Sequence, residues 1–104
     1  MFEGIKKLLG LKITNYTLLM EEGALILDVR SKGEFSTGHI QGSINIPVDQ
    51  LANNLSRLKA KNKPIITCCA SGIRSASAKS MLQSKGYTNV YNGGAWHSLN
   101  RKID

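Results

Sequence analysis

Strand-like and helix-like segments alternate along this 104-residue chain, which predicts an α/β fold with a central parallel sheet and helices on both faces. Three observations carry that expectation. The run ALILDV (24–29) is continuously apolar before it turns polar, the pattern of a strand buried on both faces. KPIITC (63–68) repeats the pattern with β-branched residues. Between such runs stand stretches whose apolar residues recur three and four apart, as on one face of a helix.

The elements follow in order. Phe2, Ile5, Leu8 and Leu9 recur at helical spacing ahead of Gly10, so residues 1–12 read as a basic amphipathic extension that docks on its own domain rather than on a membrane surface. Asn15 is placed to cap a helix through YTLLMEEG, with Gly23 at its end. ALILDV is the first strand, SKGEFSTG a short helical turn, and SINIPV a second strand ending at Pro47. In DQLANNLSRLKA (49–60), Leu51, Leu55 and Leu58 share a helical face, with Asp49 available as cap. KPIITC is the third strand. From Ser75 the pattern is helical, with Ala78, Met81 and Leu82 on one face and Gly86 just past the end at Lys85. TNVYN is the fourth strand, and GGAWHSLNRKI closes the chain as a turn and a short helix.

Size and composition narrow the class. A chain of 104 residues reads as one domain, 1–104, large enough to bury roughly two thirds of its unfolded surface without disulfide staples. Its 41% hydrophobic and 20% charged residues are ordinary for a globular protein. The two cysteines are adjacent and close no useful loop, so a disulfide framework is not expected. The N-terminus is broken by Glu3, Lys6, Lys7 and Lys12 and has no signal-peptide pattern, so a reducing cytoplasm is the default location. The net charge of +7 admits anionic partners. The densest basic cluster, Lys59, Lys61 and Lys63, lacks interleaved aromatic residues, which favours a small anion over nucleic acid.

The chemistry concentrates in IITCCASGIRSA. Ligands of parallel sheets bind at the carboxyl ends of the strands, and CCASGIRS falls at that edge. Ala70, Ser71 and Gly72 are small enough for the backbone to curl tightly, and Gly72 can take positive φ. Such a loop, joined to the first turn of a helix, turns its N–H groups toward one centre and cradles an anion. Arg74 adds a forked cation and Ser75 is placed to cap the helix. A thiol at the mouth of the cradle should ionise readily. Strand alternation sends the two cysteine side chains to opposite faces, so Cys68, inside the apolar run, reads as packing and Cys69 as the residue presented to the loop. His39 and His97 have no ligand-like spacing to the pair, so no metal is expected.

CASGIRS resembles the active-site loop of single-domain rhodanese-like proteins, a C-x-x-G-x-R-S pattern followed by a helix. LILDVR with EF shortly after, GHIQGSINIP, and GYTNVYNGGAW are similar to that family in the same order, so the resemblance spans roughly residues 13–97. It implies a rhodanese-like α/β fold and a thiosulfate sulfurtransferase-like enzyme without a cofactor. In that enzyme Cys69 takes sulfane sulfur from an anionic donor, thiosulfate or a persulfide, and passes it to cyanide or a thiol, including a thiol on a protein. By the same carry-over the N–H groups of Ala70, Ser71, Gly72, Ile73, Arg74 and Ser75 hold the terminal sulfur or the incoming anion. Arg74 orients the donor, and Arg30, which matches a family position at the same sheet edge, is carried over with the substrate-binding residues. Asp28 and Arg30 either brace the site through an ion pair or serve structure alone. His39, Gly42 and Trp96 read as scaffold. A monomer with neither nucleic acid nor membrane as partner is expected.

Two other readings use the same residues. Counted from Cys68, Arg74 completes the Cys-(x)5-Arg spacing of cysteine-dependent phosphatases and arsenate reductases, although the glycine falls at the family position only when counted from Cys69. A non-enzymatic persulfide carrier or binding module would also keep Cys69 and its cradle.

Overall fold

The computed structural model describes residues 13–58 and 60–104, and the amphipathic segment 1–12 lies outside them. Helix α1 (Tyr16–Glu21) leads into strand β1 (Leu25–Asp28), helix α2 (Lys32–Ser36) and strand β2 (Ile44–Asn45). Two 3-10 turns follow, Val48–Asn53 and Leu55–Arg57, then strand β3 (Ile65–Cys69) and helix α3 (Ile73–Ser84). Strand β4 (Val90–Ala95) and helix α4 (Trp96–Ile103) complete the order. The four strands pair parallel in the spatial order β2-β1-β3-β4.

Alternation along the strands builds two cores. Leu27, Val29, Ile65 and Cys69 face one side, where Leu51, Leu58, Ala78, Leu82 and Tyr87 cover them. Ile26, Ile66 and Cys68 face the other, with Leu19, Ile40 and Leu99. Both faces of the sheet are therefore dry, which is why β1 and β3 read as unbroken apolar runs.

Local signals account for most boundaries. The Asn15 side chain accepts the Leu18 N–H and starts α1. Ser31 and Glu34 form a reciprocal capping box that holds the five-residue α2. Helix α3 stops where Gly86, at φ 91°, turns the chain into a conformation closed to most side chains.

Four expectations need correction. The segment 49–60 does not form one α-helix but two 3-10 turns, separated at Asn54 (φ −129°, ψ 23°). Consecutive asparagines are weak helix formers that compete for the backbone, and the Asn54 side chain donates to the Gln50 carbonyl. Leu51 and Leu58 still reach the core. Asp49 caps nothing; Pro47 stands at the start of the first turn and no side chain bonds there. Ser75 is likewise not a cap, because α3 begins at Ile73 with Gly72 before it. The second strand is also shorter than SINIPV, since Pro47 has no N–H to donate.

Strand β4 extends through both glycines, further than TNVYN. Its pairing with β3 slips between Thr67↔Asn92 and Cys69↔Ala95, a bulge beside the cysteines. Gly93 fits because a Cβ there would stand 2.8 Å from Ile66 Cγ2 and Leu99 Cδ2.

Candidate active site

The backbone leaves β3 at Cys69 and enters α3 at Ile73, with Gly72 at φ 101° making the turn. This geometry folds the loop back over the cysteine. The Gly72 N–H donates to Cys69 Sγ at 2.9 Å and the Ser75 N–H at 3.4 Å. The Cys69 thiol donates to the Ser75 hydroxyl at 3.4 Å, and that hydroxyl can turn its one hydrogen from Asn92 Oδ1 to the sulfur once the thiol ionises. Burial pushes the Cys69 thiol up, but the Ser75 hydroxyl and the N–H groups of Ser75, Gly72 and Ser71 outweigh it and hold Cys69 below its ordinary value. The sulfur is fully covered, while Ala70, Ser71 and Ile73 around it are exposed.

Cys68 stands in the opposite condition. It packs in the other core with Ile26, Ile66 and Leu99, and burial pushes its thiol up to about 12. One residue of register thus separates a thiol tuned toward ionisation from one held neutral.

Arg74 lies in the first turn of α3, where its guanidinium grips Glu34 of α2 through two bonds, Nη1–Oε1 at 2.6 Å and Nη2–Oε2 at 2.9 Å. Arg30 is almost fully buried, 3% exposed, and its Nη2 meets Asp28 Oδ2 at 2.7 Å. The same group donates to the Gly38 and Glu34 carbonyls, and its plane lies 4.7 Å above the Trp96 ring centre. The Asp28 carboxylate also accepts the Arg30 backbone N–H. The ion pair at the end of β1, which both readings of these residues allow, ties α2 and the following loop to the sheet. His39 stacks on Phe35 with its Nδ1 at 2.8 Å from the Phe35 carbonyl oxygen.

Two residues that carried no role in the sequence are central. Asn92 Oδ1 accepts the Ser75 hydroxyl at 2.6 Å and the Gly94 N–H at 3.0 Å, while its Nδ2 donates to the Gly72 carbonyl at 3.2 Å. It therefore clamps both ends of the cradle to β4, and the Tyr16 hydroxyl fixes its own carbonyl from α1. Glu34 belongs to a capping box and to the Arg74 pair at once. The S-x-x-E spacing announced the box; no local signal announced that its glutamate would reach 40 residues forward.

Known proteins resemble this chain in sequence and fold. A family model described as a rhodanese-like domain matches residues 14–96. An uncharacterized protein of Bacillus subtilis, YqhL, is 38% identical over 69 residues, covering 66% of this chain and 54% of that protein. A Shewanella oneidensis protein named thiosulfate sulfurtransferase GlpE is 34% identical over 79 residues, covering 72% of this chain and 77% of that one. Among solved structures, a rhodanese with anions from E. coli superposes with a TM-score of 0.69 at 32% identity, over 72% of this chain and 89% of that one. The chain spans about half the length of some of these relatives, 54% of YqhL and 53% of an E. coli protein named YibN. A family match over residues 14–96, most of the described residues, makes this chain a member of the rhodanese-like domain family.

Proposed function

We propose that the chain is a sulfurtransferase that carries sulfane sulfur on Cys69, from thiosulfate or a persulfide to a thiol or cyanide, within one rhodanese-like domain. The observation that carries this reading is the convergence of the Gly72 and Ser75 N–H groups on Cys69 Sγ. In the first half-reaction the Cys69 thiolate attacks the outer sulfur of the donor. An S–S bond forms at Cys69, the donor's own S–S bond breaks, and its electron pair leaves with sulfite or with the donor thiolate. In the second, an acceptor nucleophile attacks the terminal sulfur and Cys69 departs as thiolate.

A thiol held below its ordinary value serves both steps, as the ionised attacker and as the better leaving group. The cradle N–H groups supply this without a metal. Arg30 and Asp28 brace the sheet edge beneath the loop rather than touch the donor, since the Arg30 guanidinium is spent on Asp28, Glu34 and Gly38.

The phosphatase register needs Cys68 as nucleophile, and Cys68 lies on the opposite face of the sheet with its thiol pushed up to about 12. Thiosulfate:cyanide turnover that disappears in Cys69→Ser is the expected result. Turnover of a generic aryl phosphate with no sulfur transfer would overturn it.

A further inference from the structure

In the sequence Arg74 stands as a cation open to an anionic donor, yet in the structure both of its terminal nitrogens are bonded to Glu34. Glu34 has a second anchor as well. Its Oε1, which Arg74 Nη1 also reaches, accepts the Ser31 N–H at 3.1 Å and the Ser31 hydroxyl at 3.1 Å, so the carboxylate is tethered to its own N-cap independently of Arg74. Arg74 and then Ser31 hold the Glu34 carboxyl at about 2, so it is ionised at neutral pH. The other arginine at this edge, Arg30, is buried against Asp28. Each of the two arginines beside the loop is therefore matched by a carboxylate, and the cradle offers N–H dipoles without an unshared arginine.

That balance treats donors differently. Thiosulfate brings two negative charges to a thiolate and must release sulfite, again a dianion; a persulfide brings one charge or none and releases a thiolate. A dianion gains from Arg74 only by displacing a tethered carboxylate, which competes as an intramolecular ligand. We propose that Glu34, acting through Arg74, sets donor specificity by favouring persulfides over the thiosulfate dianion; the proposal rests on the sulfur-transfer reading of Cys69.

Glu34→Gln tests it, because glutamine keeps the acceptor that the Ser31 cap requires and removes the charge. With thiosulfate and cysteine persulfide as donors, the KM for thiosulfate should fall about two- to fivefold, the range of a partly exposed ion pair. The ratio of kcat/KM for thiosulfate over the persulfide should rise by the same factor. In an Arg74→Ala background the substitution should move that ratio no further. An unchanged ratio, a raised thiosulfate KM, or the same shift without Arg74 overturns the proposal. Calorimetric titration of Cys69→Ser protein with thiosulfate, with and without Glu34→Gln, reads anion binding with no transfer step. Tighter binding in the double variant supports the Glu34 role, and no tightening overturns it. A protein that loads sulfur from neither donor refutes the transfer reading, and the titration still judges Glu34.

Discussion

At the scale of single residues, the site is a contrast between two adjacent thiols. Covering Cys69 raises it, and only the summed bonds from Ser75, Gly72 and Ser71 reverse the sign; Cys68 receives no such bonds and goes up. Alkylation of the native protein should therefore modify Cys69 alone at neutral pH. Its rate should rise with pH and reach its plateau below the range of a free cysteine, about 8.5. Peptide mapping after iodoacetamide treatment across a pH series checks both. Modification of Cys68 at a comparable rate would contradict the assignment. Strand alternation made this division legible in the sequence. The partner of Arg74 was not, because the pairing crosses 40 residues and depends on where α2 docks.

Glu34 also gives a signed stability effect. Its carboxyl is depressed to about 2 by Arg74 first and Ser31 second. The group therefore stabilises the fold fully above its unfolded value, about 4.3, and that contribution is lost as pH falls toward 2. Chemical denaturation of wild type and Glu34→Gln at pH 7 and pH 3 should show the difference between them narrowing at the lower pH.

At the scale of elements, the cradle is a joint between β3, α3 and β4. Gly72 at φ 101° sets the direction of the loop, and a Cβ there would also stand 3.4 Å from the Gly94 Cα. Gly72→Ala should lose about 1–3 kcal/mol of stability through backbone strain and slow the loading of Cys69 beyond what that loss explains. Urea denaturation and single-turnover loading separate the two effects. The loop, both flanking elements and the positive φ at Gly72 followed from CASGIRS. Asn92 did not, because its reach to Ser75 and Gly72 depends on a bulge in β4 that only the pairing register reveals. The mistaken helix over 49–60 has a similar origin: the leucine spacing was right for burial, but the backbone breaks at Asn54 into two tight turns.

At the scale of the whole molecule, a four-stranded parallel sheet with a core on each face holds the loop at its carboxyl edge. The buried Arg30–Asp28 pair couples β1 to the segment from α2 to Gly38. Removing one partner strands the other charge at an almost dry position, so Arg30→Met should cost about 3–5 kcal/mol, read as a lower urea midpoint. The fold class was legible because two apolar runs and their intervening helical spacings recur in order, and parallel burial leaves that mark directly on the sequence. The net charge of +7 was a poorer guide, since the two arginines nearest the site are both neutralised by carboxylates.

Sulfur carried on Cys69 is read from the intact mass of the protein after incubation with thiosulfate or glutathione persulfide. Wild type and Cys68→Ser should each gain one sulfur atom that a thiol acceptor removes, while Cys69→Ser should gain none. Sulfur loading on Cys69→Ser, with none on Cys68→Ser, would contradict the account.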